Sequence, residues 1–147
     1  MSINCIRLPL EKAAETHPDK LALVHNDARH EEQLSYSELL TRVNQVALYL
    51  QELDLPKGTR IGLYANKSVS QVVAILAILS TDYILVPMTR LLKPEQVHYI
   101  IEDCDIQCII TDRMKPESIE EIDFSGHILS FETTGGNVPS FEEIFKY

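Results

Sequence analysis

Side chains able to do chemistry are few in this chain and widely spaced. Asn66, Thr89 and Asp112 each come just after a short apolar run that reads as a strand. In open α/β sheets the crevice beyond the carboxyl ends of parallel strands is where ligands sit, so these three are the best-placed candidates for binding. Residues at such positions cap loops more often than they hold ligands.

The stretch Thr133-Thr134-Gly135-Gly136-Asn137-Val138-Pro139-Ser140 imitates a phosphate cradle, in which clustered amides on small residues meet oxyanions. It has no nearby lysine, and Ser140 with Glu143 forms a capping box, so a turn is the simpler reading. Cys104 and Cys108, with three residues between them, suggest a metal pair. No further Cys or His stands at ligand spacing nearby, and buried or half-buried thiols are the expectation. His98 sits one position off the apolar face of its helix, a boundary residue rather than a base. His17, His25 and His30 surround a hairpin where solvent exposure is expected. Nucleophile-elbow, dinucleotide and two-histidine metal motifs are all missing. No residue is therefore assigned a catalytic, cofactor-binding or metal-ligating role.

The elements that would position these residues alternate along the chain. Leu10 to Thr16 reads as a short helix ended by His17-Pro18, and Leu21 to Val24 as a strand. Asn26-Asp27 marks a turn, with Glu31 to Leu34 returning as a polar hairpin edge. Leu34-Ser35-Tyr36-Ser37-Glu38-Leu39 is a capping box inside a hydrophobic staple, which starts a helix whose Leu39, Val43, Val46, Ala47 and Leu50 share one face. Arg60 to Ala65 is a strand. Ser68 and Gln71 offer a second box ahead of Val72 to Leu79, an apolar helix expected to be buried on nearly all sides. Tyr83 to Val86 is a strand closed by Pro87, and Pro94 opens a helix with Val97, Ile100, Ile101 and Cys104 on one face. Cys108 to Thr111 and Ile128 to Phe131 are strands, and a final helix follows Ser140. The polar stretch Arg113 to Gly126 is a loop or a short helix.

Such alternation implies right-handed crossovers and a mostly parallel sheet. The expected fold is α/β, a three-layer sandwich with helices on both faces and an antiparallel hairpin at one edge, forming a single subdomain over 1–147.

Composition bounds the function classes. The 147 residues are enough for one core, and 45% hydrophobic residues mark a globular chain. A formal net charge of -9 argues against nucleic acid or an anionic membrane as partner. The longest apolar stretch, Val72 to Leu79, is too short to span a bilayer. Three cysteines, Cys5 included, cannot complete a disulfide framework within one chain. With no signal peptide visible, a reducing cytoplasm is the expected location.

The hexapeptide Leu34 to Leu39 resembles the first core motif of the adenylate-forming enzymes, the acyl-CoA synthetases and peptide-synthetase adenylation domains. His17-Pro18-Asp19-Lys20-Leu21-Ala22-Leu23 is similar to the segment ahead of that motif. Gly58 to Tyr64 followed by Asn66 resembles the strand before the family's long apolar helix. Ile75 to Pro87, then Pro94 to Asp112, follow the layout of the second core motif and its downstream helix and strand. One departure is the turn Ser80-Thr81-Asp82-Tyr83, where the family has a Lys-Ala-Gly type turn and glycine takes positive φ.

The resemblance implies the N-terminal scaffold subdomain of an ATP-dependent acid–thiol ligase, part of a larger N-domain and not catalytic alone. A complete enzyme would use ATP and Mg to form an acyl-adenylate, then pass the acyl group to coenzyme A or a carrier protein. No cofactor is expected on this piece, because the family's lysine-bearing nucleotide loop lies beyond it. Its expected partner is the remainder of the parent ligase, or a second copy meeting an uncovered apolar face. The alternatives are a free-standing flavodoxin-like or receiver-like binding module, and a degenerate ligase relative without catalysis.

Overall fold

The computed structural model describes residues 6–112 and 122–147. Cys5 and most of the ambiguous stretch from Arg113 lie outside the described residues. The chain forms two compact units: Met1–Asp54 with Lys67–Asp82, and Leu55–Asn66 with Tyr83–Tyr147.

The first unit holds helix α1 (Arg7–Thr16), strands β1 (Leu21–Asn26) and β2 (Glu31–Ser35), and helices α2 (Tyr36–Glu52) and α3 (Val69–Leu79). The capping box starts α2 as read. Glu38 N–H donates to Ser35 Oγ at 3.2 Å, and Ser35 N–H to the Glu38 carboxylate at 2.8 Å. Two orphan amides of the first turn are thereby satisfied. Leu34 and Leu39 are both buried beside it, and the expected face of α2 is buried throughout. That face packs against α3, α1 and the hairpin. None of the α3 residues is exposed, and Ser68 Oγ caps it by accepting from Gln71 N–H at 3.1 Å.

The hairpin is antiparallel and stands as a two-stranded sheet of its own. Its tip is shaped by Asp27, whose Oδ1 accepts from the amides of Arg29 at 2.8 Å and His30 at 2.9 Å. Those two bonds hold the Asp27 carboxyl below its ordinary value.

The turn Ser80-Thr81-Asp82 does without positive φ, which at non-glycine residues falls on Asp54, Asp105 and Asp123 instead. Ser80 Oγ donates to the Leu76 carbonyl at 2.7 Å and Thr81 Oγ1 to that of Ile78 at 2.6 Å. Hydroxyls thus satisfy carbonyls that a glycine turn would otherwise serve.

The second unit is a four-stranded sheet in the order β4-β3-β5-β6, parallel throughout. It comprises β3 (Arg60–Tyr64), β4 (Ile84–Met88), β5 (Ile106–Thr111) and β6 (His127–Ser130), with helices α4 (Pro94–Asp103) and α5 (Phe141–Ile144). The central strands β3 and β5 are buried on both faces, as parallel strands require. Val97 and Ile101 of α4 pack with Tyr64, Met88, Ile106 and Ile109. A register shift opposite Arg60/Ile61 puts Ile106 and Ile109 on the same face, and β5 starts two residues earlier than its apolar run suggested.

Strand β4 does not close at Pro87 but runs through it to Met88. It is an edge strand, where a residue lacking an N–H on the open side breaks no ladder bond.

Candidate functional site

The strand order places a topological switch between β3 and β5. The chain leaves β3 for β4 on one side and returns past β3 to β5 on the other. In this class of sheet the crevice at such a point is the usual ligand site. Two of the three polar candidates meet there.

Asn66, two residues past β3, donates its backbone N–H to Asp112 Oδ2 at 2.9 Å. Asp112 follows β5 directly. Its other oxygen, Oδ1, lies 3.2 Å from Arg90 Nε, an ion pair whose alignment falls short of a hydrogen bond. Arg90 comes from the loop after β4, and its guanidinium carbon stands 4.4 Å from the centre of the Tyr64 ring. The Tyr64 hydroxyl donates to the Leu92 carbonyl at 3.2 Å. Below this layer, the fully buried Thr111 hydroxyl donates to the Tyr64 carbonyl at 2.6 Å. The polar groups at the switch point are therefore directed at one another.

Thr89, the third candidate, stays outside this network. Its Oγ1 accepts from Leu91 N–H at 3.3 Å and its carbonyl from Leu92 N–H at 3.2 Å, which makes it a turn former. Arg90 and Tyr64 were missed in the sequence. The available signal was an acid at a strand end and an arginine three residues past Pro87.

The stretch from Thr133 to Ser140 has the glycine geometry of a turn, with φ of 74° at Gly135 and 93° at Gly136. The amides at its two ends already face carboxylates. Thr133 N–H donates to Glu142 at 3.0 Å and Ser140 N–H to Glu143 at 2.9 Å, while Thr133 and Ser140 share a hydroxyl contact at 3.2 Å. The Thr133 amide, then its hydroxyl, hold the Glu142 carboxyl below its ordinary value. A phosphate at those two amides would have to displace two anions. Phe131 and Phe141, 4.9 Å apart between ring centres, pack at the base of the loop.

His98 bridges the Ile122 carbonyl, 3.0 Å from Nδ1, and the Glu102 carboxylate, 3.3 Å from Nε2. It is a structural link of α4. His17 caps the end of α1, and His25 and His30 flank the hairpin tip. Cys104 ends α4 half-buried, packed against the α4 cluster, and Cys108 is buried in β5. Burial pushes the Cys108 thiol up to about 12. Among the described residues, no group of His, Cys, Asp and Glu is arranged to hold a metal ion.

On the outer side of α4, an open groove of about 380 Å³ is lined by Leu92, Glu95, Gln96, Tyr99 and Ile100. Leu91 beside it is 91% exposed and Tyr99 67%. Among the described residues, no helix is long and apolar enough to cross a membrane.

Solved structures share this fold. An anthranilate CoA ligase in complex with anthranoyl-AMP superposes with a TM-score of 0.82 at 24% identity, over 96% of this chain and 27% of its own. The luciferase-like enzyme of the nonluminescent mealworm Zophobas morio gives 0.79 at 17% identity, over 95% of this chain and 33% of its own. Among curated proteins, tyrocidine synthase 1 of Brevibacillus parabrevis is 29% identical over 119 residues, which are 81% of this chain and 11% of that protein. Tyrocidine synthase 3 of the same organism is 35% identical over 70% of this chain, and 2% of its own length. A medium/long-chain-fatty-acid–CoA ligase of Mycobacterium marinum is 26% identical over 76% of this chain and 20% of its own length. The chain thus spans a small part of the relatives it resembles. The AMP-binding enzyme family matches residues 10–138, from within α1 to the loop before α5, and the chain belongs to that family.

Proposed function

We propose that this chain is the N-terminal scaffold subdomain of an ATP-dependent acid–thiol ligase that works through an acyl-adenylate. It supplies a sheet and helices for the catalytic parts to pack on, and no catalytic group of its own. The observation that carries this reading is the state of the switch-point crevice: its carboxylate, amide and cation are engaged with one another. The Thr133 and Ser140 amides at the two ends of the Thr133–Ser140 loop are likewise engaged with carboxylates. ATP and Mg belong to the complete enzyme in this proposal, bound beyond the residues described.

Peptide synthases are the relatives of 29% and 35% identity, against 26% for the CoA ligase, which favours a carrier protein over coenzyme A as the acyl acceptor. The proposed partner is the remainder of the parent ligase or, for the isolated chain, a second copy. The exposed Leu91 ahead of α4 and Tyr99 on it give either one an apolar face to cover. The proposed location is the cytoplasm.

Reading the coding sequence beyond codon 147 tests this. Continuation into a Ser/Thr/Gly-rich loop bearing lysine, with ATP–pyrophosphate exchange by the longer protein and none by the chain alone, is expected. A natural stop, or exchange by the chain alone, would contradict it.

A further inference from the structure

We propose that the crevice between the carboxyl ends of β3 and β5 is a seat for a carboxylate, filled by the chain's own Asp112. Once that side chain is cut back, the seat takes a small free monocarboxylate. The inference does not depend on the ligase assignment.

The seat meets both oxygens of one planar group from two different strand ends. Asn66 N–H reaches Oδ2 at 2.9 Å, and Arg90 Nε stands 3.2 Å from Oδ1. A neutral backbone donor and a guanidinium set side by side suit a carboxylate, which accepts at two points. The cation is itself held in place. Arg90 stacks 4.4 Å from the centre of the Tyr64 ring, which is 7% exposed and tied through its hydroxyl to the Leu92 carbonyl. Stacking limits the positions open to the guanidinium, so it stays when the anion is exchanged.

The tethered occupant fits imperfectly. Oδ1 is buried, yet its contact with Arg90 is misaligned for a hydrogen bond. A buried acceptor without an aligned donor is costly, and the strand end from which Asp112 projects limits its rotation. A carboxylate free of the backbone turns to align with both donors. Tetrahedral phosphate brings further oxygens beyond the two that Asn66 N–H and Arg90 Nε meet.

The test is chemical rescue of Asp112→Ala. Thermal unfolding is followed in sodium acetate, sodium phosphate and sodium chloride at equal ionic strength, with the Asn66 amide observed by NMR. Acetate is expected to raise the midpoint of the variant saturably by several degrees over chloride and to shift the Asn66 resonance. Phosphate should match chloride. The wild type and the double variant Asp112→Ala/Arg90→Gln should show no acetate-specific gain. An equal acetate effect on the wild type, an unmoved Asn66 amide, or rescue by phosphate as large as by acetate overturns the proposal. If Asp112→Ala does not fold in chloride, Asp112→Ser serves with the same readouts. Failure of acetate to restore folding in both variants also overturns it.

Discussion

The backbone N–H of Asn66 and the carboxylate of Asp112, 46 residues apart in sequence, meet at 2.9 Å across the carboxyl ends of β3 and β5. Neither element alone places this bond. It requires the parallel pairing of Tyr64 with Thr111, which brings the two strand ends level. The same pairing sets the Thr111 hydroxyl on the Tyr64 carbonyl. The point where a doubly wound sheet usually opens to a ligand is here stitched shut.

Removing the α2 cap isolates a local contribution. Ser35→Ala should lower stability by about 1 kcal/mol in urea unfolding. The cap also gives a pH dependence of known sign. The Ser35 amide, then its hydroxyl, depress the Glu38 carboxyl from its ordinary 4.5. A carboxyl depressed on folding stabilises the native state above its unfolded value, and that contribution is lost as pH falls through the folded one. Unfolding midpoints taken downward from pH 5 should fall less steeply for Glu38→Gln than for the wild type. Parallel slopes would show that the cap does not form.

Gly62 is closely packed against the side chains of the α4 cluster. A Cβ built there stands 2.7 Å from the Met88 methyl and 3.2 Å from Ile106 Cδ1. Gly62→Val should therefore cost about 1–3 kcal/mol by overpacking. Because the nearest atom ends a flexible side chain, Met88→Ala should cancel part of that cost. Strict additivity in the double variant would place the crowding elsewhere.

Cys108 gives a slope at the opposite end of the pH scale. Burial raises its thiol from the ordinary 9.0 to about 12. A raised value means that its stabilising contribution is complete below 9.0 and lost as pH climbs toward 12. Between pH 8 and 11, Cys108→Ala should lose stability less steeply than the wild type, whatever its absolute level.

How much of this was legible follows from which interactions are local. The α2 start was readable because Ser35, Glu38, Leu34 and Leu39 answer one another within six residues. The buried faces of α2 and α4 follow from helical spacing. Pro87 misled because its meaning depends on whether its strand lies at an edge, which sequence spacing does not state. The turn at Ser80 departs from the family's glycine turn in kind, since two hydroxyls there serve carbonyls in place of a left-handed residue. Asn66 and Asp112 were found as residues at strand ends. That they bind each other, with Arg90 and Tyr64 completing the set, is a product of strand order.

Titration of the labelled chain with Mg-ATP, followed by amide NMR, tests most directly whether the chain lacks a nucleotide site of its own. No saturable shifts are expected at residues 64–66, 89–92, 111–112 or 133–140. Saturable shifts at the Asn66 and Asp112 amides, abolished by Arg90→Gln, would show that the crevice opens to a nucleotide and would contradict the scaffold assignment.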